Sequence, residues 1–275
     1  MGSLLKELSG SEIVAALEIL SQHGVTKEHM RWLRTNYAYA IRAAHFMRDG
    51  SVALPFDIEA RWAADLMEKN FFGPAEWYGY FTVEILQPIP EFPWNQQILK
   101  SQCPFYSHQR IKDTHSAFLG LDELNGRLLT PSTWKKRYAG ERSVKRYFSY
   151  DYPYDPKVFP EKACAFRWYL TLKGGIPDSE DESFENQQKM LPPEYEVPSA
   201  AEEVTKLVLF EARNNEFPVN GLMLRCKETG AEKFVSYHVY VGSNGGAIIV
   251  GASNDFGSIH KTRLGASRNL PLKEE

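Results

Sequence analysis

The sequence predicts an α+β protein, with an N-terminal helical region followed by a mixed domain that ends in an antiparallel β-meander. Apolar residues recur at helical spacing through the opening segment. Towards the other end, β-rich runs alternate with turn residues, which is typical of a meander. A chain of 275 residues with 43% hydrophobic content is also long and apolar enough to bury a sizeable core.

The chain opens with a predicted helical hairpin. Ser11 is a helix N-cap, because apolar residues follow it at helical spacing, and Gly24 ends that helix. Thr26 begins a second helix, whose apolar stripe starts at Met30. Two helices joined by a glycine turn fit either a plain αα-hairpin or a helix-turn-helix, in which Met30 belongs to the buried core.

A third helix and a strand complete the first part of the chain. Asp57 caps the helix, and Trp62 and Met67 are predicted to face inward. The run "WYGYFTVEIL" predicts a strand, which the prolines of "PIPEFPW" end. We therefore expect a helical region over 1–70, an aromatic and proline-rich connection over 71–95, and a mixed α+β domain over 96–275.

The mixed domain is predicted to begin with short strands and helices. "SAFLGL" and "KACAFRWYLTL" predict strands, and "TPSTWKKRY" between them predicts a short helix. An acidic segment interrupted by prolines follows, which indicates an exposed excursion. Ser199 then caps a helix with an apolar face. That face carries Val204, Leu207, Val208 and Phe210.

The predicted meander comes last. The runs "GLMLRC", "KFVSYHVYVG" and "GAIIVGAS" are β-rich, and "KETGAE" and "SNGG" separate them. Asn244-Gly245 is a signal for a two-residue hairpin turn. We expect these strands to pack on the helix that Ser199 caps.

Six motifs are distributed along the chain: "CPF", "DTHSAFLGL", "FRWYL", "MLPPEYEVPSAAEEVTKL", "VGSNGGAIIV" and "GASR". With these motifs, the chain resembles a family of uncharacterised bacterial proteins of unknown function. The resemblance extends from about the first helix to Arg268, and it implies a bacterial origin and a single heritable unit. Because it brings no assigned activity, it transfers no catalytic residue.

The amino-acid composition and the spacing of certain residues exclude some classes of protein. The chain has 32 basic and 35 acidic residues, so it lacks the cationic excess of a general nucleic-acid coat. Its three cysteines are distant from one another and show no CxxC spacing, which favours a reducing cytoplasm. We expect neither a signal peptide nor a membrane span, because no apolar run approaches about 18 residues. The sequence indicates no cofactor and leaves the oligomeric state open.

The stretch "CPFYSHQRIKDTH" permits three interpretations. Cys103 with His115 and Asp113 has the residue types of a catalytic nucleophile, base and carboxylate. A metal site is the second interpretation, because thiolates and imidazoles bind zinc. Its candidate ligands are Cys103, His108, His115, Cys226 and His238. The third interpretation is a turn followed by the entrance to a strand, in which Cys103 is buried as a small apolar side chain.

Two basic segments are candidates for contact with nucleic acid. In the predicted hairpin, Lys27, Arg31 and Arg34 are placed to face a groove or a phosphate backbone. In the mixed domain, basic residues are interleaved with aromatic ones, a mixture suited to phosphate contacts and base stacking. The candidates there are Trp134, Lys135, Lys136 and Arg137. The alternative for both segments is an ordinary solvated surface.

These features leave three functions open. A non-enzymatic binding protein that contacts nucleic acid best fits the basic and aromatic segments. A Cys/His-dependent or metal-dependent hydrolase would use the Cys103–His115 stretch. A protein-interaction module would use the meander and the acidic excursion.

Overall fold

The structure is a computed structural model. It describes residues 60–83, 85, 88–124, 126–141, 148–150, 154–155, 161–180, 182–232, 235–254 and 262–269, together with isolated positions among the first 31 residues. The chain divides into two compact units, Met1–Pro55 and Phe56–Glu275. The predicted domain ranges of 1–70, 71–95 and 96–275 remain predictions.

In the first unit, a helix begins directly after Thr26. Lys27, Met30 and Arg31 are helical, and the Met30 amide donates to the Thr26 carbonyl at 3.2 Å, as the first bond after an N-cap does. Met30 is 37% exposed, so it does not occupy the core position expected in a helix-turn-helix. The predicted turn at Gly24 lies outside the described residues.

The second unit opens with helix α1 over Arg61–Met67, a 3-10 turn over Glu68–Asn70, and the two-residue strand β1 over Phe71–Phe72. Met67 is buried as predicted, whereas Trp62 is 36% exposed and packs edge-on against Phe92 with ring centroids 5.8 Å apart. The predicted cap, Asp57, lies outside the described residues.

Helix α2, over Pro74–Phe81, covers the first half of "WYGYFTVEIL", where a strand was predicted. Pro74 occupies the first helical position, where its missing amide hydrogen costs nothing. The Gly73 amide donates to the Glu76 carboxylate at 2.7 Å, which satisfies an amide that the helix itself leaves without a partner. This local capping outweighs the β-propensity of the aromatic residues.

The predicted α+β class is confirmed, because the described part of the second unit contains seven α-helices and three sheets. The remaining helices are α3 (Gln96–Lys100), α4 (Ile111–Thr114), α5 (Pro131–Glu141), α6 (Phe184–Lys189) and α7 (Ala200–Asn214). The remaining strands are β2 (His115–Leu119), β3 (Glu123–Leu124), β4 (Arg127–Leu128), β5 (Phe148–Tyr150), β6 (Trp168–Leu172), β7 (Tyr195–Glu196), β8 (Leu222–Glu232), β9 (Val235–Asn244), β10 (Ala247–Ser253), β11 (Thr262–Leu264) and β12 (Ser267–Arg268). Of the helices described, none is long and apolar enough to cross a membrane.

The first sheet has the strand order β1-β2-β6-β12-β7. Strand β1 lies parallel to β2, and the other neighbours are antiparallel. His115 pairs with Leu172 at one end of the β2–β6 ladder. Every residue of β2 and β6 is buried, so both faces of these central strands are covered. The predicted strands "SAFLGL" and "KACAFRWYLTL" thus form the centre of this sheet.

The second sheet, β11-β8-β9-β10-β5, contains the predicted meander β8-β9-β10. Its tight turn is placed one residue later than predicted: Asn244 pairs with Ala247, so Gly245-Gly246 are the central residues. Both have positive φ angles, 57° and 87°, as a type I′ turn requires. The predicted connection "KETGAE" instead belongs to β8, which contains a register shift between Arg225 and Thr229.

Helix α7 lies at the centre of the second unit. Ser199 caps it as predicted, and all twelve residues of Ala200–Glu211 are buried, including the predicted apolar face. The helix contacts strands β8, β9 and β10 and also helices α2 and α5. Because it is enclosed on several sides, its charged residues are buried as well as its apolar ones.

Candidate functional site

The Cys103–His115 stretch forms a short closed loop that leads into helix α4 and strand β2. The Cys103 amide donates to the Gln109 carbonyl at 2.8 Å, and Gln102 and Arg110 form an antiparallel bridge. Cys103 is 2% exposed and packs in a small apolar cluster. His108 is exposed, with a positive φ of 65°. This geometry is that of a turn and a strand entrance.

The predicted catalytic triad is not assembled, so that interpretation is wrong. The two ring nitrogens of His115 bind Thr114 Oγ1 at 2.9 Å and Tyr195 Oη at 3.1 Å, so neither binds the Cys103 thiol. Asp113 is exposed and pairs with Lys112 at 3.2 Å. A buried imidazole held by two hydroxyl groups has no route to activate a nucleophile.

The predicted metal ligands do not converge either. Cys226 is buried in β8, in a different apolar cluster from Cys103, and burial raises the pKa of its thiol well above the usual value. The ring of His238 stacks on Phe184 with centroids 4.0 Å apart. Within the described ranges, no group of three or more His, Cys, Asp or Glu side chains is placed to hold a metal ion.

The basic segment of helix α5 presents less charge to solvent than predicted. Trp134 is 0% exposed, stacks on Trp77 and donates its indole N–H to Thr205 Oγ1 at 3.0 Å, so its predicted stacking on a nucleic-acid base is wrong. The Lys135 ammonium lies 3.9 Å from the centroid of the Tyr150 ring.

The other two cations of this segment differ from each other. The Arg137 guanidinium donates to the Phe81 carbonyl at 2.8 Å, which ties it to helix α2. Lys136 is exposed, so its ammonium is available to an external phosphate. In the first unit, Lys27 and Arg31 are also exposed, and Arg34 lies outside the described residues.

A buried polar cluster beside the first sheet was not predicted. His115, at the start of β2, contacts Tyr195 of β7, and the Arg268 guanidinium of β12 lies 3.4 Å from the Tyr195 hydroxyl. Lys206 of α7 donates to the Leu172 carbonyl at 2.9 Å, next to His115 across the strand pair. His115 and Tyr195 are 80 positions apart, and no spacing rule connects them.

Lys206 forms an ion pair with Glu203 one turn earlier in α7. The Nζ–Oε2 distance is 2.5 Å, and both side chains are fully buried. Burial raises the pKa of Glu203 against the opposing effect of Lys206. The second carboxylate oxygen of Glu203 has no hydrogen-bond partner among the described residues. The sequence pattern alone did not predict this pair.

A small pocket lies between the first turns of α5 and α7. The Glu161 carboxylate accepts the Ser132 amide at 2.8 Å, and the Glu228 carboxylate accepts the Ala200 amide at 2.9 Å. These carboxylates therefore already occupy the anion-binding ends of both helices. The pocket has room for about one water molecule. Its lining residues are Pro131, Tyr154, Glu161, Lys162, Ala200, Ala201, Glu228 and Val239.

No family model, curated protein or solved structure matches this chain. The resemblance to a family of uncharacterised bacterial proteins therefore remains a prediction. Function must be inferred from the chemistry of the described residues.

Proposed function

We propose that this protein is a non-enzymatic binding protein that contacts nucleic acid through exposed cations. The observation that carries the proposal is the exposure of Lys27 and Arg31, which lie one turn apart on the helix that begins after Thr26. Residues four apart share one face of a helix, so the two positive charges lie on the same exposed face.

Lys136 is a second, separate contact point on helix α5. It is the exposed member of the Lys135–Arg137 segment, whereas its neighbours are engaged with Tyr150 and Phe81. With Trp134 buried, the expected contact is to phosphates and not to bases. The proposal is therefore electrostatic binding with little sequence preference.

The hydrolase alternative has no assembled site among the described residues. Cys103, Cys164 and Cys226 are all buried, and burial raises the pKa of the Cys164 and Cys226 thiols. A thiol must form a thiolate to act as a nucleophile, so the environment of these two opposes that role.

Fluorescence anisotropy with labelled duplex and single-stranded oligonucleotides, titrated at two salt concentrations, tests the proposal. The wild-type protein should bind at low salt, and affinity should fall steeply as salt rises. Replacing Lys27 and Arg31 together by Ala should flatten the duplex salt slope by about 0.9 for each phosphate that the variant no longer neutralises. Lys136→Ala should flatten the slope by the equivalent of one phosphate.

Lys189→Ala is the matched control. Lys189 is also exposed, and it lies on helix α6, where it pairs with Glu185 at 2.9 Å, so its removal should leave the salt slope unchanged. Absence of binding at low salt would overturn the proposal. So would a slope that the Lys27 and Arg31 changes do not alter.

A further inference from the structure

The hydrogen bonds around His115 determine where its ring proton lies. The Thr114 hydroxyl has a single proton, which it donates to the Arg110 carbonyl at 3.0 Å. Its oxygen therefore accepts from Nδ1–H of His115 at 2.9 Å. Nε2 then carries the lone pair, which accepts the Tyr195 hydroxyl proton at 3.1 Å. The ring is neutral, and both nitrogens are used.

The surroundings of the ring oppose a positive charge. His115 is 0% exposed, and cations face it from three elements: Arg268 on β12, Lys206 on α7 and Lys173 just after β6. The carboxylates near these cations interact with the cations and not with the His115 ring. Glu203 pairs with Lys206, and Glu194 lies 3.8 Å from Arg268.

The remaining neighbours of the ring are neutral. The Ile111 carbonyl faces it, and the Cys103 thiol lies near Tyr195. Among the described residues, no carboxylate contacts either ring nitrogen. Burial, with a further effect from Arg268, lowers the pKa of His115 to about 3.

We propose that His115 is an acid-sensitive latch for the edge of the first sheet. A proton from solvent that binds Nε2 removes the acceptor for the Tyr195 hydroxyl, and it adds a buried charge beside three cations. The release of strand β7 and of the Cys103–Tyr106 loop follows, because Tyr195 attaches both to the sheet.

The other side-chain attachments of the released elements include a partly exposed Arg167–Glu196 ion pair at 3.2 Å and the Tyr106 hydroxyl, which donates to the Gly175 carbonyl at 3.0 Å. Strand β7 contains two residues and lies at the edge of the sheet, where β12 is its one partner among the described strands. The Phe105 ring packs edge-on against Tyr195 with centroids 4.8 Å apart, and Cys103 belongs to the same apolar cluster. Short edge elements of this kind open at a lower free energy than the core. Opening therefore exposes the Cys103 thiol.

Labelling of Cys103 tests this latch. The native protein is treated with 4,4′-dithiodipyridine between about pH 7 and about pH 4.5, and the rate at Cys103, read by peptide mass spectrometry, is divided by the rate in urea at the same pH. Below the ordinary histidine pKa of about 6.5, the normalised rate should rise by up to about tenfold per pH unit.

Two variants isolate the proton on His115. In His115→Gln the side chain keeps a donor and an acceptor but does not titrate, so the normalised Cys103 rate should lose its pH dependence. His108→Gln is the matched control, because His108 is exposed in the same loop, and it should behave as the wild type does.

A third variant covers the case in which His115→Gln fails to fold. Tyr195→Phe removes the hydroxyl that donates to Nε2, so Cys103 should be labelled faster at neutral pH, and the rate should depend less on pH. The latch is overturned if Cys103 stays protected throughout, if His115→Gln retains the wild-type pH dependence, or if Tyr195→Phe is labelled no faster than the wild type at neutral pH. It is also overturned if Cys164 and Cys226 are labelled together with Cys103, since that pattern indicates global unfolding.

Discussion

The role of Trp134 is decided by its neighbours and not by the basic residues that follow it in sequence. Its ring stacks on Trp77 at a centroid distance of 5.9 Å and meets Phe81 edge-on at 5.4 Å. Its N–H has a partner in Thr205, so no polar atom of the side chain is left unpaired. The residue therefore joins helices α2, α5 and α7.

Trp134→Ala should lower the free energy of unfolding by about 3–5 kcal/mol, because it leaves a large cavity and removes the hydrogen bond from the indole N–H to the Thr205 hydroxyl. Urea titration followed by circular dichroism measures the change. Lys136→Ala, two positions along the same helix but exposed, should change stability by less than about 0.5 kcal/mol. Equal effects of the two substitutions would contradict this placement of the helix.

For the buried Glu203–Lys206 pair, we expect that replacing both residues destabilises the fold less than replacing Lys206 alone. Lys206→Met should destabilise the fold by about 3–5 kcal/mol, because it leaves a carboxylate buried without its cation. Adding Glu203→Leu should recover much of that loss, since the pair is then replaced by apolar side chains. Chemical denaturation of both variants gives the coupling, and additive losses would show that the two side chains do not interact.

At the scale of secondary structure, helix α7 depends on its first turn. Ser199 Oγ accepts the Glu202 amide at 3.2 Å and donates to the Glu202 carboxylate at 2.9 Å. Lys227 lies 3.5 Å from the same carboxylate, which connects the helix start to β8. The cap thus contributes to both the helix and its contact with the second sheet.

Ser199→Ala should cost about 1 kcal/mol of stability, the usual loss when an N-cap hydroxyl is removed, because the Glu202 amide loses its acceptor and the Glu202 carboxylate loses one of its partners. Thermal or urea unfolding measures it. Ser183→Ala is a comparison: Ser183 caps the six-residue, largely exposed helix α6 and accepts the Asn186 amide at 3.3 Å. A loss at Ser183 as large as the loss at Ser199 would argue against a central role for α7.

For the whole molecule, buried ionisable groups make stability depend on pH in opposite directions. The folded pKa of His115 lies below its unfolded value, so its contribution is lost as pH falls from about 6.5 towards about 3. The folded pKa values of Glu202, Glu203 and Glu228 are raised by burial, so their contributions are present at low pH and are lost as pH rises.

The difference between the wild type and His115→Gln should therefore isolate the histidine term. We expect the wild-type unfolding free energy, relative to that of the variant, to fall by up to about 1.4 kcal/mol per pH unit below about pH 6.5. Urea unfolding at a series of pH values measures this difference. A difference that is constant with pH would mean that His115 titrates normally in the folded protein.

Sequence by itself determined the α+β class, the Ser199 cap, the apolar face of α7, the central strands and the meander. Each of these depends on residues near one another in the chain, through helical spacing, a cap or β-rich runs. Local patterns failed where two local preferences competed. The aromatic residues of α2 favour a strand, but the proline and the Gly73–Glu76 cap begin a helix.

Only the tertiary structure decided which side chains are buried and which of them meet. Trp134 is enclosed because α2 and α7 pack on α5, and Cys103 is separated from Cys226 because they lie in different apolar clusters. His115 meets Tyr195 because strands β2, β6, β12 and β7 are neighbours in that order. Strand order depends on packing between distant segments, and a local pattern of residues carries no information about those contacts.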